Sequence, residues 1–227
     1  MTKIVNPFSY RLGVIRDWRS SWITKNKIKG KDFVKNLTGD VLVREYLIKK
    51  LRGKMIGEIL MERNQKVWKI SIPSARPGLI LGQKGEGVVE LKKAVEKFML
   101  QKKIVAPTEL KIEITEITQA EKDAKVVAMM VAEGLEKRLP FRRVLKGTVE
   151  KVIANKDVLG IKIQLGGRLG GADMARVEFL KRGNIPLQTL RADIDFAREK
   201  AHMTYGVLGI KVWIYKGQIF KKKTVTK

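Results

Sequence analysis

The chain has 227 residues and carries 48 Lys plus Arg against 23 Asp plus Glu, a formal net charge of +25 with a sequence pI near 10.3. It holds no cysteine, which excludes disulfides and thiolate metal sites and fits a reducing cytoplasm. The amino terminus lacks an apolar signal core, and no stretch reaches the ~18 consecutive apolar residues of a membrane helix, so the reading is a soluble chain with no membrane partner. At 44% apolar composition there is enough for two modest cores. A cut at Pro107 leaves 24 basic and 9 acidic residues up to it and 24 basic and 14 acidic beyond it, so both halves are basic. An excess spread through folded-looking sequence points to a polyanion that touches both halves.

Residues 1–36 hold 9 basic and 2 acidic residues, with Trp18 and Trp22 among Arg16, Arg19, Lys25, Lys27 and Lys29. This reads as a basic, mostly extended arm. Its tryptophans either stack on bases or sugars, or anchor the arm to a core. Residues 32–51 have a partly helical rhythm, with Gly39 and Asp40 interrupting it. The segments M-I-G-E-I-L-M-E-R and K-V-W-K-I-S-I-P-S predict two antiparallel strands turning at Asn64-Gln65. After a glycine turn, Val88, Leu91, Val95, Phe98 and Met99 fall at helical spacing. Residues 109–118 alternate as a strand, closing a first domain of helix-strand-strand-helix-helix-strand.

Residues 121–139 and 141–155 predict two further helices, weakened at Gly134 and Gly147. A strand at G-I-K-I-Q-L, a glycine cluster, a helical stretch near residues 173–181, and strands at T-L-R-A-D-I-D-F and G-I-K-V-W-I-Y follow. The class is α+β with two domains. The expected boundaries are a basic arm at 1–36, a first domain at 37–118, a second mixed domain at 119–217 and a basic tail at 218–227.

The most informative segment is Gly82-Gln83-Lys84-Gly85, between an apolar stretch and an amphipathic helix. A G-x-x-G loop joining two helices is the phosphate clamp of a KH domain. Glycines let a nucleic-acid backbone approach, amides at the next helix start attract phosphate, and Lys84 adds charge. Arg142, Arg143 and Lys146 stand three and four apart on a predicted helix and can share a face suited to sequence-blind phosphate contact.

Several separated segments resemble the universal small-subunit ribosomal protein family number three: V-N-P at 5–7 with R-L-G at 11–13, A-R-P-G-L-I-L-G-Q-K-G, L-E-K-R with F-R-R, R-L-G-G-A-D-M-A-R, T-L-R-A-D-I-D-F and T-Y-G-V-L-G-I-K-V-W-I-Y-K-G. The resemblance covers nearly the whole chain. It implies a type II KH domain followed by a mixed α/β domain, in a protein of the small-subunit head. The implied partners are ribosomal RNA, neighbouring small-subunit proteins, and messenger RNA where it enters its channel. The residues matching Arg142, Arg143 and Lys146 face messenger in that family. Expected RNA contacts are Gly82, Gln83, Lys84, Gly85, Arg142, Arg143, Lys146, Arg168, Arg11 and Trp22, with no cofactor, metal or catalytic residue. The chain departs from the family pattern at Thr2, Lys3 and Ile4, at Phe8-Ser9-Tyr10, and at Gly147, where a longer side chain is common.

Two other readings stay open. A nucleic-acid-processing enzyme could use Asp193 and Asp195, which share a strand face and could hold a divalent cation; paired with Arg191 or Arg198 they are structural instead. A free-standing KH regulator shares every feature of the first domain. His202 is the lone histidine. Neither the glycine cluster at 166–171 nor residues 78–85 has the spacing of a dinucleotide or Walker loop.

Overall fold

The computed structural model describes residues 5–22, 30–64, 66–82, 85–104 and 109–220, with only the backbone described at Lys31 and Asp32. They fall into two compact units: Trp18–Thr118, and Met1–Asp17 together with Gln119–Lys227. Residues 1–36 therefore do not form one arm. They supply a short helix, α1 (Pro7–Arg11), to the discontinuous unit, and a strand, β1 (Ser20–Trp22), to the other.

The unit Trp18–Thr118 continues with α2 (Gly30–Lys50), β2 (Leu60–Arg63), β3 (Val67–Ser74), α3 (Gly78–Leu81), α4 (Glu86–Gln101) and β4 (Glu109–Glu116). Its sheet has the order β1-β2-β3-β4, with β2 and β3 antiparallel and the two outer pairings parallel. Alternation along β3 buries Trp68, Ile70 and Ile72. Val43 and Leu47 of α2 and Leu91, Val95 and Met99 of α4 are buried in the same unit. The Tyr46 and Phe98 rings stack at 4.4 Å between the two helices.

The interruption expected at Gly39-Asp40 does not occur, because both residues are used by the tertiary structure. Asp40 is buried and accepts from Arg63 Nη2 at 2.9 Å and from Trp22 Nε1 at 2.8 Å. A Cβ at Gly39 would meet Ile104 Cγ2 at 3.0 Å, so glycine allows that close approach. Arg63 lies 3.8 Å over the Trp68 ring; burial lowers its pKa, with Asp40 opposing the shift.

In the discontinuous unit, a 3-10 turn at Ala120–Lys122 leads to α5 (Ala124–Glu136) and α6 (Phe141–Ile153). Four strands follow: β5 (Gly160–Gly167), β6 (Arg176–Gly183), β7 (Ala192–Met203) and β8 (Gly206–Gln218). They form an antiparallel sheet in the order β6-β5-β8-β7. The stretch 173–181, expected to be helical, is mostly strand. Its V-E-F-L run pairs in full register with β5, from Gly167↔Arg176 to Gly160↔Gly183, and Leu180 packs on the core. Both helices lie over Ile161, Ile163, Leu165, Ile210, Val212 and Ile214. Gly134 is a packing site, since a Cβ there would meet Val144 Cγ1 at 3.2 Å. Gly147 has open space around its missing Cβ.

Asp123 caps α5 by accepting from the amides of Lys125 and Val126. Burial, and then the charge of Asp195, raises its carboxyl pKa above the ordinary range, while those two bonds act in the opposite direction.

Arg11 joins the two ends of this unit. It is 0% exposed, and its guanidinium reaches five backbone carbonyls: Ala192 at 2.6 Å, Thr189 at 2.8 Å, Leu187 at 2.9 Å, Pro7 at 3.1 Å and Pro186 at 3.4 Å. Arg16 adds an ion pair to Asp193 at 2.6 Å.

Replacing Arg11 by Met fills the volume but strands those carbonyls; chemical denaturation should show a loss of about 3 kcal/mol. An unchanged midpoint would mean that the carbonyls find other donors. Gly147→Ala should instead stabilise by up to about 1 kcal/mol, because the added methyl meets nothing and α6 gains helix propensity. A melting temperature that fails to rise would remove that account of α6.

Candidate nucleic-acid interface

The glycine loop is built by three glycines. Gly82 has φ 68° and ψ −171°, a conformation open essentially to glycine alone. Gly85 is left-handed at φ 82°, with open space where a Cβ would stand. Gly87, overlooked in the sequence reading, makes the closest approach: a Cβ there would lie 2.4 Å from the Ile80 carbonyl oxygen and 2.9 Å from that of Leu81. It lets the first turn of α4 rest on the end of α3. The signal was available as the third glycine of G-Q-K-G-E-G. Gln83 and Lys84 lie outside the described residues.

Gly85 caps α4 without a side-chain bond, and amides at a helix start are of the kind that attract a phosphate. Leu79, Leu81 and Val89 are exposed around this loop. A strand of RNA can thus set a phosphate against the amides and a base or sugar against the apolar side chains. Glu86, in the first turn, opposes a phosphate at closest approach.

The second basic site lies on α6, at the start of the helix. Val144, Leu145, Val149 and Val152 bury one face, leaving Arg142, Arg143 and Lys146 exposed. Arg142 is 72% exposed in its side chain and lies 3.6 Å from Glu178 of β6. No ion pair is made by Arg143 or Lys146 among the described residues. The three cations stand three and four positions apart on α6 and are all exposed, an arrangement open to sequence-blind contact with phosphates.

The other expected contacts divide. Arg168 is committed within the protein: Nε donates to the Ala172 carbonyl at 3.0 Å, Nη1 to that of Tyr205 at 3.5 Å, and Nη2 pairs with Asp173 at 3.0 Å. It closes the glycine turn at 169–171 while remaining 41% exposed. Arg11 must be withdrawn as an RNA contact, because its buried guanidinium is saturated by carbonyls. Trp22 is held by Asp40 and by an edge-to-face contact with Phe33 at 5.2 Å, the anchoring alternative. Trp18 remains 63% exposed. Lys25, Lys27 and Lys29 lie outside the described residues, as does the tail from 221.

The two aspartates weighed as metal ligands are engaged separately. Asp193 pairs with Arg16, and Asp195 accepts from Lys216 Nζ and the Ala124 amide, both at 3.1 Å. Among the described residues no group of three His, Cys, Asp or Glu side chains is placed to hold a metal, and no helix is long and apolar enough to cross a membrane.

Comparison with known proteins agrees with this geometry in both units. Residues 42–122 match the KH domain family, and residues 131–214 match the family described as ribosomal protein S3, C-terminal domain. The small ribosomal subunit protein uS3 of Hahella chejuensis (strain KCTC 2396) is 44% identical over 219 residues, covering 96% of this chain and 91% of that relative. With a KH unit ahead of an S3 carboxy-terminal domain and a relative matched almost end to end, the chain belongs to the small ribosomal subunit protein uS3 family.

Proposed function

We propose that this chain is a structural constituent of the small ribosomal subunit head, where it binds ribosomal RNA, contacts neighbouring small-subunit proteins, and helps line the channel through which messenger RNA enters. The observation that carries the reading is the pairing of two features suited to phosphate in one uS3-family chain: a three-glycine loop leading into the start of α4, and exposed cations at the start of α6. Its role is to bind and position, with no reacting group and no cofactor. Gly82, Gln83, Lys84 and Gly85 act as the clamp on ribosomal RNA. Arg142, Arg143 and Lys146 meet messenger, and the exposed part of Arg168 adds a peripheral contact. The working location is the cytoplasm, on the ribosome.

The cationic face is tested by replacing Arg142, Arg143 and Lys146 together with Gln. Three lost phosphate contacts should make the slope of log affinity against log salt shallower by about 2 for single-stranded RNA. If the slope stays as it was, α6 does not meet phosphate. At the loop, Gln83→Asp with Lys84→Asp should weaken RNA binding while the circular dichroism spectrum is retained. Equal affinity in a folded variant removes the clamp. On a sucrose gradient after a high-salt wash the chain should sediment with small subunits; confinement to the soluble fractions would favour the free-standing KH regulator.

A further inference from the structure

The cations of α6 are not alone on their side of the sheet. Arg176, Glu178 and Leu180 alternate along β6, and Leu180 packs on the same core as α6, so all three share the face on which that helix lies. One oxygen of Glu178 serves two guanidiniums: Arg176 Nε at 3.2 Å and Arg142 Nη2 at 3.6 Å. Both guanidiniums also lie against the Phe141 ring, at 5.7 and 5.6 Å from its centre. Phe141 in turn packs against the core. A helix residue and a strand residue thus hold their cations at one point, on an aromatic surface, with a carboxylate between them.

The exposures indicate what this carboxylate does. The side chains of Arg142 and Arg176 are 72% and 50% exposed, whereas Glu178 is 28% exposed. The cations are therefore reachable from solvent while bound to a more sheltered anion. Ion pairs this exposed are weak and are easily exchanged for another anion. A phosphate oxygen offers a guanidinium the same charge-assisted hydrogen bonds as a carboxylate oxygen.

We propose that Arg176 is a further cation of the α6 RNA-binding face, and that Glu178 is a resident phosphate substitute which binds Arg142 and Arg176 until an RNA phosphate displaces it. Glu178 keeps the two guanidiniums together in the absence of RNA. Each phosphate that arrives must compete with it, so the face holds a strand loosely and releases it readily. Such a contact suits a nucleic acid that moves past the protein. The proposal rests on α6 being an RNA-binding face and adds the device that sets its affinity.

The test uses the full chain carrying Gln83→Asp and Lys84→Asp, so that binding to a short oligouridylate reports on the α6 face. In that background Glu178→Gln should tighten binding by roughly two- to fivefold, the equivalent of one weak ion pair no longer in competition. The gain should appear as slower dissociation. It should vanish when Arg142 and Arg176 are both Gln, because the carboxylate acts through those two groups. Unchanged or weaker binding by a folded Glu178→Gln chain overturns the proposal; weaker binding would mean that the carboxylate only positions the arginines. A gain that survives loss of both arginines overturns it too, as a general charge effect. Failure of the underlying reading has a different signature: the Arg142, Arg143 and Lys146 triple variant would then bind with undiminished affinity.

Discussion

Self-repulsion among 48 basic side chains is the constraint under which the rest of this chain folds. With 23 acidic residues to set against them, the placement of each carboxylate matters. Buried Asp40 joins α2 to Arg63 and Trp22, Glu58 receives Arg19, Asp193 receives Arg16, and Asp195 joins Lys216 to the start of α5. These acids hold architecture together and neutralise cations near the interior. Cations at the start of α6, by contrast, are left facing solvent, which is what a polyanion needs.

The same division separates arginines that look alike in sequence. Arg11 and Arg142 each sit in a short basic motif of the family, yet Arg11 donates inward to five carbonyls and Arg142 stands 72% exposed. The difference is made by residues far away in the chain, chiefly the carbonyls of the loop before β7. A guanidinium is as well suited to a ring of carbonyl oxygens as to a phosphate. Residue type therefore does not distinguish a buried tie from a solvent-facing cation.

Elements with a local signature were legible in the sequence: the alternation of β3 and β4, the period of α4 and α5, and the glycine turn before α4. What was not legible depended on partners distant along the chain. Residues 176–183 become strand because β5 offers eight paired positions, a long-range pairing that local composition does not announce. Gly39 and Asp40 stay helical because Ile104 and Arg63 approach them. At the candidate interface, G-x-x-G and the α6 cations were readable as motifs, whereas the close approach at Gly87 and the pairing of Glu178 with Arg142 appear only once α3 meets α4 and β6 meets α6. Trp22 meets Asp40 and Phe33, contacts of the anchoring kind that depend on α2 and are not visible in the spacing of the sequence.

The tie made by Arg11 also sets a timetable. Arg11 and Ala192, whose carbonyl it binds, are 181 positions apart, and Trp18–Thr118 forms a compact unit wholly between them. During synthesis from the amino terminus, the intervening KH unit can fold as soon as it emerges, while Arg11 waits for acceptors made up to 181 positions later. The discontinuous unit therefore closes only after the loop before β7 and the start of β7 have been made. A product that stops before Ala192 lacks these acceptors, so closure of this unit distinguishes a chain made through β7 from a shorter one.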